Sequence, residues 1–207
     1  IIREYRAGSD DPQSVIELAE TIILGMQDAG TVATGKDFPG HGGVKEDSHI
    51  QTPIDSRELD ELFKEDLKPY VVLQNLLGGV MSAHLTFPKV DNNAVSFSYF
   101  WLTTILRQQL GFEGVVFSDD LSMKGADVAG NYSYKAQKAL DAGCDMLLVC
   151  NNRKGVIGVL EYLEENQISK SSKIINMLKT KEIDWNDLVK NKRRDSIISN
   201  LADMDLT

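Results

Sequence analysis

Gly114-Val115-Val116-Phe117-Ser118-Asp119-Asp120 is an almost wholly apolar run that closes on two carboxylates. A run of this length without polar alternation buries both of its faces, as a strand does in a parallel sheet covered by helices. Its flanks are helical. Ser98–Leu110 carries apolar residues at helical spacing and stops at Gly111, and Tyr134–Ala142 stops at Gly143.

The same alternation extends outward in both directions. Gly79–Leu85 and Asp145–Cys150 read as further buried strands, Thr31–Gly35 as a short one, and Gly155–Glu165 as a helix. Asp11-Pro12 opens a helix whose apolar stripe is Val15, Leu18, Ala19, Ile22, Ile23 and Met26, with Ala29-Gly30 as its stop. Asp55-Ser56 with Glu58 resembles an N-terminal cap, followed by Leu59, Leu62, Phe63 and Leu67 at helical spacing towards Tyr70. Lys36–Pro53 reads as one long loop with glycines at 40, 42 and 43, and loops of that length usually carry function.

Strands alternating with helices define an α/β protein. About four strand-helix units follow the first helix, whereas a closed eight-stranded barrel takes ~250 residues. The expectation is therefore a (β/α)8 TIM-barrel type present as an incomplete barrel lacking its N-terminal strands. The opening Ile, in place of Met, fits a start inside a longer polypeptide. Residues 1–165 would form the barrel part and 166–207 a helical tail of the same domain, with the basic run Lys190–Arg194 as solvated surface.

With 31 acidic against 22 basic side chains, the net charge is −9, so a nucleic-acid partner is not expected. The longest apolar runs, Val71–Leu77 and Met146–Cys150, fall far short of the ~20 residues that span a bilayer, so no membrane partner is expected. Cys144 and Cys150 lie roughly 20 Å apart if their run is extended at ~3.3 Å per residue, too far to bridge each other. Two unpaired cysteines suit a reducing compartment.

Polar residues gather where each strand ends: Lys36-Asp37, His84, Asp119-Asp120 and Asn151-Asn152. In a barrel those ends share the face that carries the chemistry. Adjacent residues of an extended chain point to opposite sides, so one of Asp119 and Asp120 can face a pocket. That carboxylate is either a nucleophile or a cap for the turn at Leu121. In the loop, Asp47 stands two residues from His49, close enough to orient the imidazole and raise its pKa, although a loop histidine alone is commonly a surface residue.

Three stretches together resemble a known family. Gly35-Lys36-Asp37-Phe38-Pro39-Gly40-His41-Gly42 followed by Asp47-Ser48-His49 and Pro53 is similar to the loop of the family 3 β-N-acetylhexosaminidases, usually GKHFPGHG with DSH and P. Gly111–Met123 and Ala142-Gly143-Cys144-Asp145-Met146 resemble that family's nucleophile strand and the strand after it. The resemblance implies a retaining glycosidase that removes terminal β-linked N-acetylglucosamine, with Asp119 as nucleophile, His49 as proton donor and acceptor, and Asp47 as its partner. It further implies that Arg6 and Lys36 bind the sugar, together with Asp37, which stands where the family has histidine. No cofactor and no metal are implied, and the expected substrate is an amino-sugar glycoside of cell-wall recycling in the cytoplasm. An incomplete barrel also implies a missing N-terminal half or self-association through open strand edges.

Two other readings fit parts of the sequence. His41, His49, Asp47, His84 and Asp119 could form a metal-dependent hydrolase site, although they lack compact ligand spacing. A sugar-binding or regulatory remnant that lost turnover is the other reading, motivated by Asp37.

Overall fold

The computed structural model describes residues 9–44 and 53–203. Four strands form one parallel sheet: β1 (Thr34–Phe38), β2 (Gly79–Ser82), β5 (Val115–Asp120) and β6 (Met146–Leu148), ordered β1-β2-β5-β6. Because all three pairings are parallel, all four C-terminal ends lie along one edge. A short antiparallel hairpin, β3 (Thr86–Phe87) with β4 (Asp91–Ala94), follows β2 on that side. The α/β class with a parallel sheet is as the sequence indicated.

Helix α1 (Pro12–Asp28) starts at Asp11, whose carboxylate accepts the Ser14 N–H at 2.8 Å, and its Ile16 and Ile23 are buried. Proline in the first turn costs no hydrogen bond there. The sequence suggested one helix capped near Asp55; two short helices, α2 (Leu59–Lys64) and α3 (Lys68–Leu73), occur instead. Glu58 and Glu61 form the capping box of α2, and Pro69 restarts the chain in the first turn of α3. Asp55 caps nothing; it is buried against Arg57.

Strand β1 begins three residues later than the apolar pattern suggested and takes in Lys36 and Asp37. Its pairing with β2 runs from Thr34 opposite Gly79 to Phe38 opposite Ser82, so backbone pairing extends the strand past its apolar part. Phe38 then enters the core, edge-on to Tyr70 at 5.1 Å and to Trp101 at 6.2 Å between ring centroids. Burying such a ring contributes about 1.5–3 kcal/mol, and each edge-on contact adds about 0.5–1.5 kcal/mol.

A π-helix, Phe100–Gln109, leads to β5, and α4 (Tyr132–Ala142) leads to β6. Gly143 ends α4 at φ 118°, a left-handed conformation in which a side chain would be strained. At the N-terminal end of the sheet, Asp145 accepts the Val116 N–H at 2.9 Å and pairs with Arg107 at 2.6 Å. The Ser171 hydroxyl donates to the same carboxylate at 2.7 Å, which ties the segment after helix α5 (Arg153–Glu165) to the sheet. Helices α6 (Trp185–Val189) and α7 (Lys192–Asp203) are the last of the described elements. Among the described residues no helix is long and apolar enough to cross a membrane, and both cysteines are free.

Candidate active site

The C-terminal edge of the sheet holds the polar residues picked out by strand-end position. Lys36 and Asp37 end β1, with the ammonium 3.5 Å from the Asp37 carboxylate and both side chains partly exposed. The peptide bond between them is cis, as is that between Phe38 and Pro39. Across β2, Asp119 and Asp120 close β5. Arg6, Asp47 and His49 lie outside the described residues.

The two aspartates occupy different environments. Asp120 accepts the Ser122 N–H at 2.9 Å, the Ser122 hydroxyl at 2.8 and 2.7 Å, and the Cys150 N–H at 2.9 Å. Burial pushes its carboxyl up, but these donors outweigh burial and hold it below the usual carboxylate range. Asp120 therefore ties the end of β5 to the end of β6. Asp119 is partly buried and accepts the Asp120 N–H at 2.8 Å, an arrangement that fixes its carboxylate at the sheet edge.

The turn after β5 is locked from below. Leu121 N–H donates to the Leu148 carbonyl at 2.8 Å, and the buried Lys135 ammonium donates to the Leu121 carbonyl at 2.8 Å and to Asp127 at 3.0 Å. Sequence reasoning passed over Lys135 because nothing in a lysine on α4 marks it as buried. Asn152 is structural: it caps α5 by accepting the Gly155 N–H at 2.9 Å and donates to the Tyr132 hydroxyl at 2.8 Å.

His84 is fully buried, stacked on Phe97 at 5.3 Å, with Nε2 3.1 Å from the Asp120 carbonyl. A carbonyl only accepts, so Nε2 carries the proton and Nδ1 is left as a bare acceptor without a partner among the described residues. Burial lowers its pKa from 6.5 to about 4, with the Lys135 charge acting the same way; the Asp120 bond and carboxylate oppose both. Below pH 6.5 the unfolded chain binds this proton and the folded chain does not. Stability is therefore lost as the pH falls from 6.5 towards 4, by about 1 kcal/mol per pH unit near pH 5.5. Urea unfolding at pH 7.0 and 5.5 is expected to show this slope in the wild type and a flatter one in His84→Gln. Identical slopes in the two proteins would remove His84 as its source.

Among the described residues no three histidine, cysteine, aspartate or glutamate side chains are grouped so as to hold a metal ion. The site as described offers a carboxylate held at a sheet edge and a lysine-aspartate pair two strands away. Such an edge suits a polar ligand that meets a nucleophile and several hydrogen-bonding groups at once.

Comparison with known proteins agrees with that geometry. Residues 2–178 match the model of the glycosyl hydrolase family 3 N-terminal domain. The chain is 46% identical over 208 residues to a beta-hexosaminidase of Haemophilus influenzae, covering 97% of this chain and 59% of that protein. It is 51% identical over 160 residues to the beta-hexosaminidase of Photobacterium profundum, covering 77% of this chain and 48% of that one. Among solved structures it resembles NagZ from Neisseria gonorrhoeae in complex with N-trifluoroacetyl-D-glucosamine. That match has a TM-score of 0.82 and 34% identity, and covers 95% of this chain and 58% of the other. The chain thus spans just under three-fifths of the length of the Haemophilus and Neisseria proteins. With the family model matched along most of its length, on a sheet whose strand ends carry the expected polar groups, the chain belongs to glycosyl hydrolase family 3.

Proposed function

We propose that this chain carries the nucleophile side of a retaining β-N-acetylglucosaminidase, acting on terminal β-linked N-acetylglucosamine. The supporting observation is the division of labour at the end of β5. Asp120 is consumed by Ser122 and Cys150, and Asp119 stands beside it on the edge that also holds Lys36 and Asp37. The beta-hexosaminidase relatives, and the amino-sugar derivative bound to the Neisseria protein, support the substrate class.

In the reaction, an Asp119 oxygen attacks the anomeric carbon as the glycosidic bond breaks, and His49 gives its proton to the departing oxygen. The glycosyl ester on Asp119 is then opened by water, whose proton returns to His49. Asp47 orients the imidazole, while Arg6, Lys36 and Asp37 bind the sugar. The natural substrate is a cell-wall muropeptide glycoside, the compartment is the cytoplasm, and no cofactor takes part.

The four strands are one side of a (β/α)8 barrel, with residues 1–165 as barrel and 166–207 as its tail. Among the described residues β1 and β6 are the outer strands of the sheet, and a further segment or a second copy would cover them. Release of nitrophenol from nitrophenyl N-acetyl-β-glucosaminide by the native protein tests the activity. Faster turnover of the corresponding glucoside, which lacks the acetamido group, would overturn the substrate class.

Asp37 also favours a second reading, of a site weakened towards sugar. Its carboxylate only accepts hydrogen bonds and is paired with the neighbouring Lys36. Asp37→His is expected to lower KM for the N-acetylglucosaminide about threefold to tenfold, the worth of one recovered hydrogen bond. An unchanged or higher KM would show that Asp37 already serves the sugar.

A further inference from the structure

His84 follows β2, is fully buried, and has no part in the proposed mechanism. The chain on either side of it is fixed. Ala83 N–H donates to the Phe38 carbonyl at 2.9 Å, which ties this segment to the end of β1. Ser96 N–H and Val95 N–H donate to the Ala83 and Leu85 carbonyls, at 3.2 and 2.9 Å. The imidazole lies against the Phe97 ring, 23° from parallel. Among the described residues its one hydrogen bond joins Nε2 to the Asp120 carbonyl at 3.1 Å, and Nδ1 has no partner. A buried nitrogen without a partner costs stability, and an apolar side chain would fill the same space without that cost. What histidine adds over such a side chain is the Nε2–H donor.

That donor acts on the residue next to Asp119. The Asp120 carbonyl accepts from the Met123 N–H at 3.0 Å as well as from His84, and its carboxylate is held by Ser122 and Cys150. The following carbonyl, of Leu121, is held by the Lys135 ammonium at 2.8 Å. Residue 120 is thus gripped from β2, from the turn after β5 and from the end of β6. Its N–H is the group that donates to Asp119 Oδ1 at 2.8 Å. A backbone fixed at its carbonyl cannot swing that N–H aside, so the Asp119 carboxylate takes its orientation from the grip on Asp120.

We propose that His84 is a positioning residue for the glycosidase reaction: by holding the Asp120 carbonyl it keeps the Asp120 N–H on Asp119, and so sets the attacking carboxylate relative to the Lys36-Asp37 end of β1. This rests on the reading of Asp119 as nucleophile. Burial, together with the Lys135 charge, lowers the His84 pKa to about 4, so the ring is neutral at pH 7. Facing a carbonyl, it keeps its single proton on Nε2. Attack on the anomeric carbon needs aligned atoms ~3–3.5 Å apart, and a misplacement of ~1 Å costs about a hundredfold in rate.

The test compares two variants of the native protein that differ in where they carry an amide nitrogen. Glutamine brings its nitrogen to the place of the imidazole Nε2, whereas asparagine reaches only the place of Nδ1. With nitrophenyl N-acetyl-β-glucosaminide, His84→Gln is expected to keep kcat within about threefold of the wild type. His84→Asn should lose about tenfold to a hundredfold in kcat, with KM altered less than about threefold. Labelling of Asp119 by a slow fluorinated N-acetylglucosaminide should slow by the same factor in His84→Asn, at an unchanged half-saturating concentration. A folded His84→Asn with wild-type kcat, or a folded His84→Gln that loses as much as His84→Asn, overturns the role. If either variant does not fold, nitrogen NMR of the histidine-labelled wild type decides. It should show a slowly exchanging Nε2–H on His84 that shifts when Asp119 is trapped as its ester; an Nδ1-protonated ring or an unmoved proton overturns the role. If Asp119→Asn turns over like the wild type, the nucleophile assignment falls and the positioning role with it. If Asp119→Asn is inactive and His84→Asn is not slowed, only the role of His84 falls.

Discussion

Asp119→Asn in the native protein is expected to lower turnover of nitrophenyl N-acetyl-β-glucosaminide on the order of 10⁴-fold or more, the scale on which enzymes lose a covalent nucleophile. The amide lacks the anionic oxygen that the proposed glycosyl ester requires. Asp120→Asn should behave differently. Its carboxylate receives bonds from the Ser122 amide and hydroxyl and from the Cys150 amide, so the asparagine forfeits part of a hydrogen-bonded tie between β5 and β6. The expected cost is about 1–3 kcal/mol of stability, with activity reduced far less than for Asp119→Asn. Chemical unfolding separates the two variants on stability. Trapping with a slow fluorinated N-acetylglucosaminide and mapping the labelled peptide separates them on chemistry. A label on any residue other than Asp119 would reject the assignment.

The contrast between these neighbours shows how far the sequence carries. Period-two alternation says that Asp119 and Asp120 point apart, but not which one meets the ligand. What sets the two apart in the fold is Cys150, thirty residues away in sequence, whose amide reaches Asp120 because β6 pairs with β5. The strands β2, β5 and β6 were legible because parallel strands buried on both faces are apolar throughout. Strand β1 was read three residues too early, since Lys36 and Asp37 look like loop and join the strand only through pairing with β2. The hairpin β3–β4 was passed over for a related reason: Asp91-Asn92-Asn93 favours turns by composition, and the pairing of Thr86 with Ala94 overrides it. Asp55 looked like a helix cap and is a buried partner of Arg57; local propensity cannot foresee an ion pair that also recruits Asp66 from the turn between α2 and α3. The family resemblance, by contrast, lay in contiguous motifs, and it was legible before any fold was known.

His49→Ala is expected to divide substrates by their leaving groups. A nitrophenolate departs without help, so glycosylation of Asp119 should proceed on it with a modest loss, while an alkyl glycoside, whose leaving oxygen is strongly basic, should lose about 10²- to 10⁴-fold in kcat/KM. The same variant would also remove the proposed base for the second step. With the nitrophenyl substrate, ester breakdown should then become rate-limiting, and a burst of nitrophenolate should precede a slow steady state. An added small nucleophile such as azide, which needs no deprotonation, should speed that steady state and yield a glycosyl azide of retained configuration. Asp47→Ala should weaken both effects without reversing them, because its proposed part is to orient the imidazole and stabilise its protonated form. Losses of equal size on both substrates, with no burst and no azide product, would take His49 out of the proton-transfer role and leave Asp119 without its assigned acid.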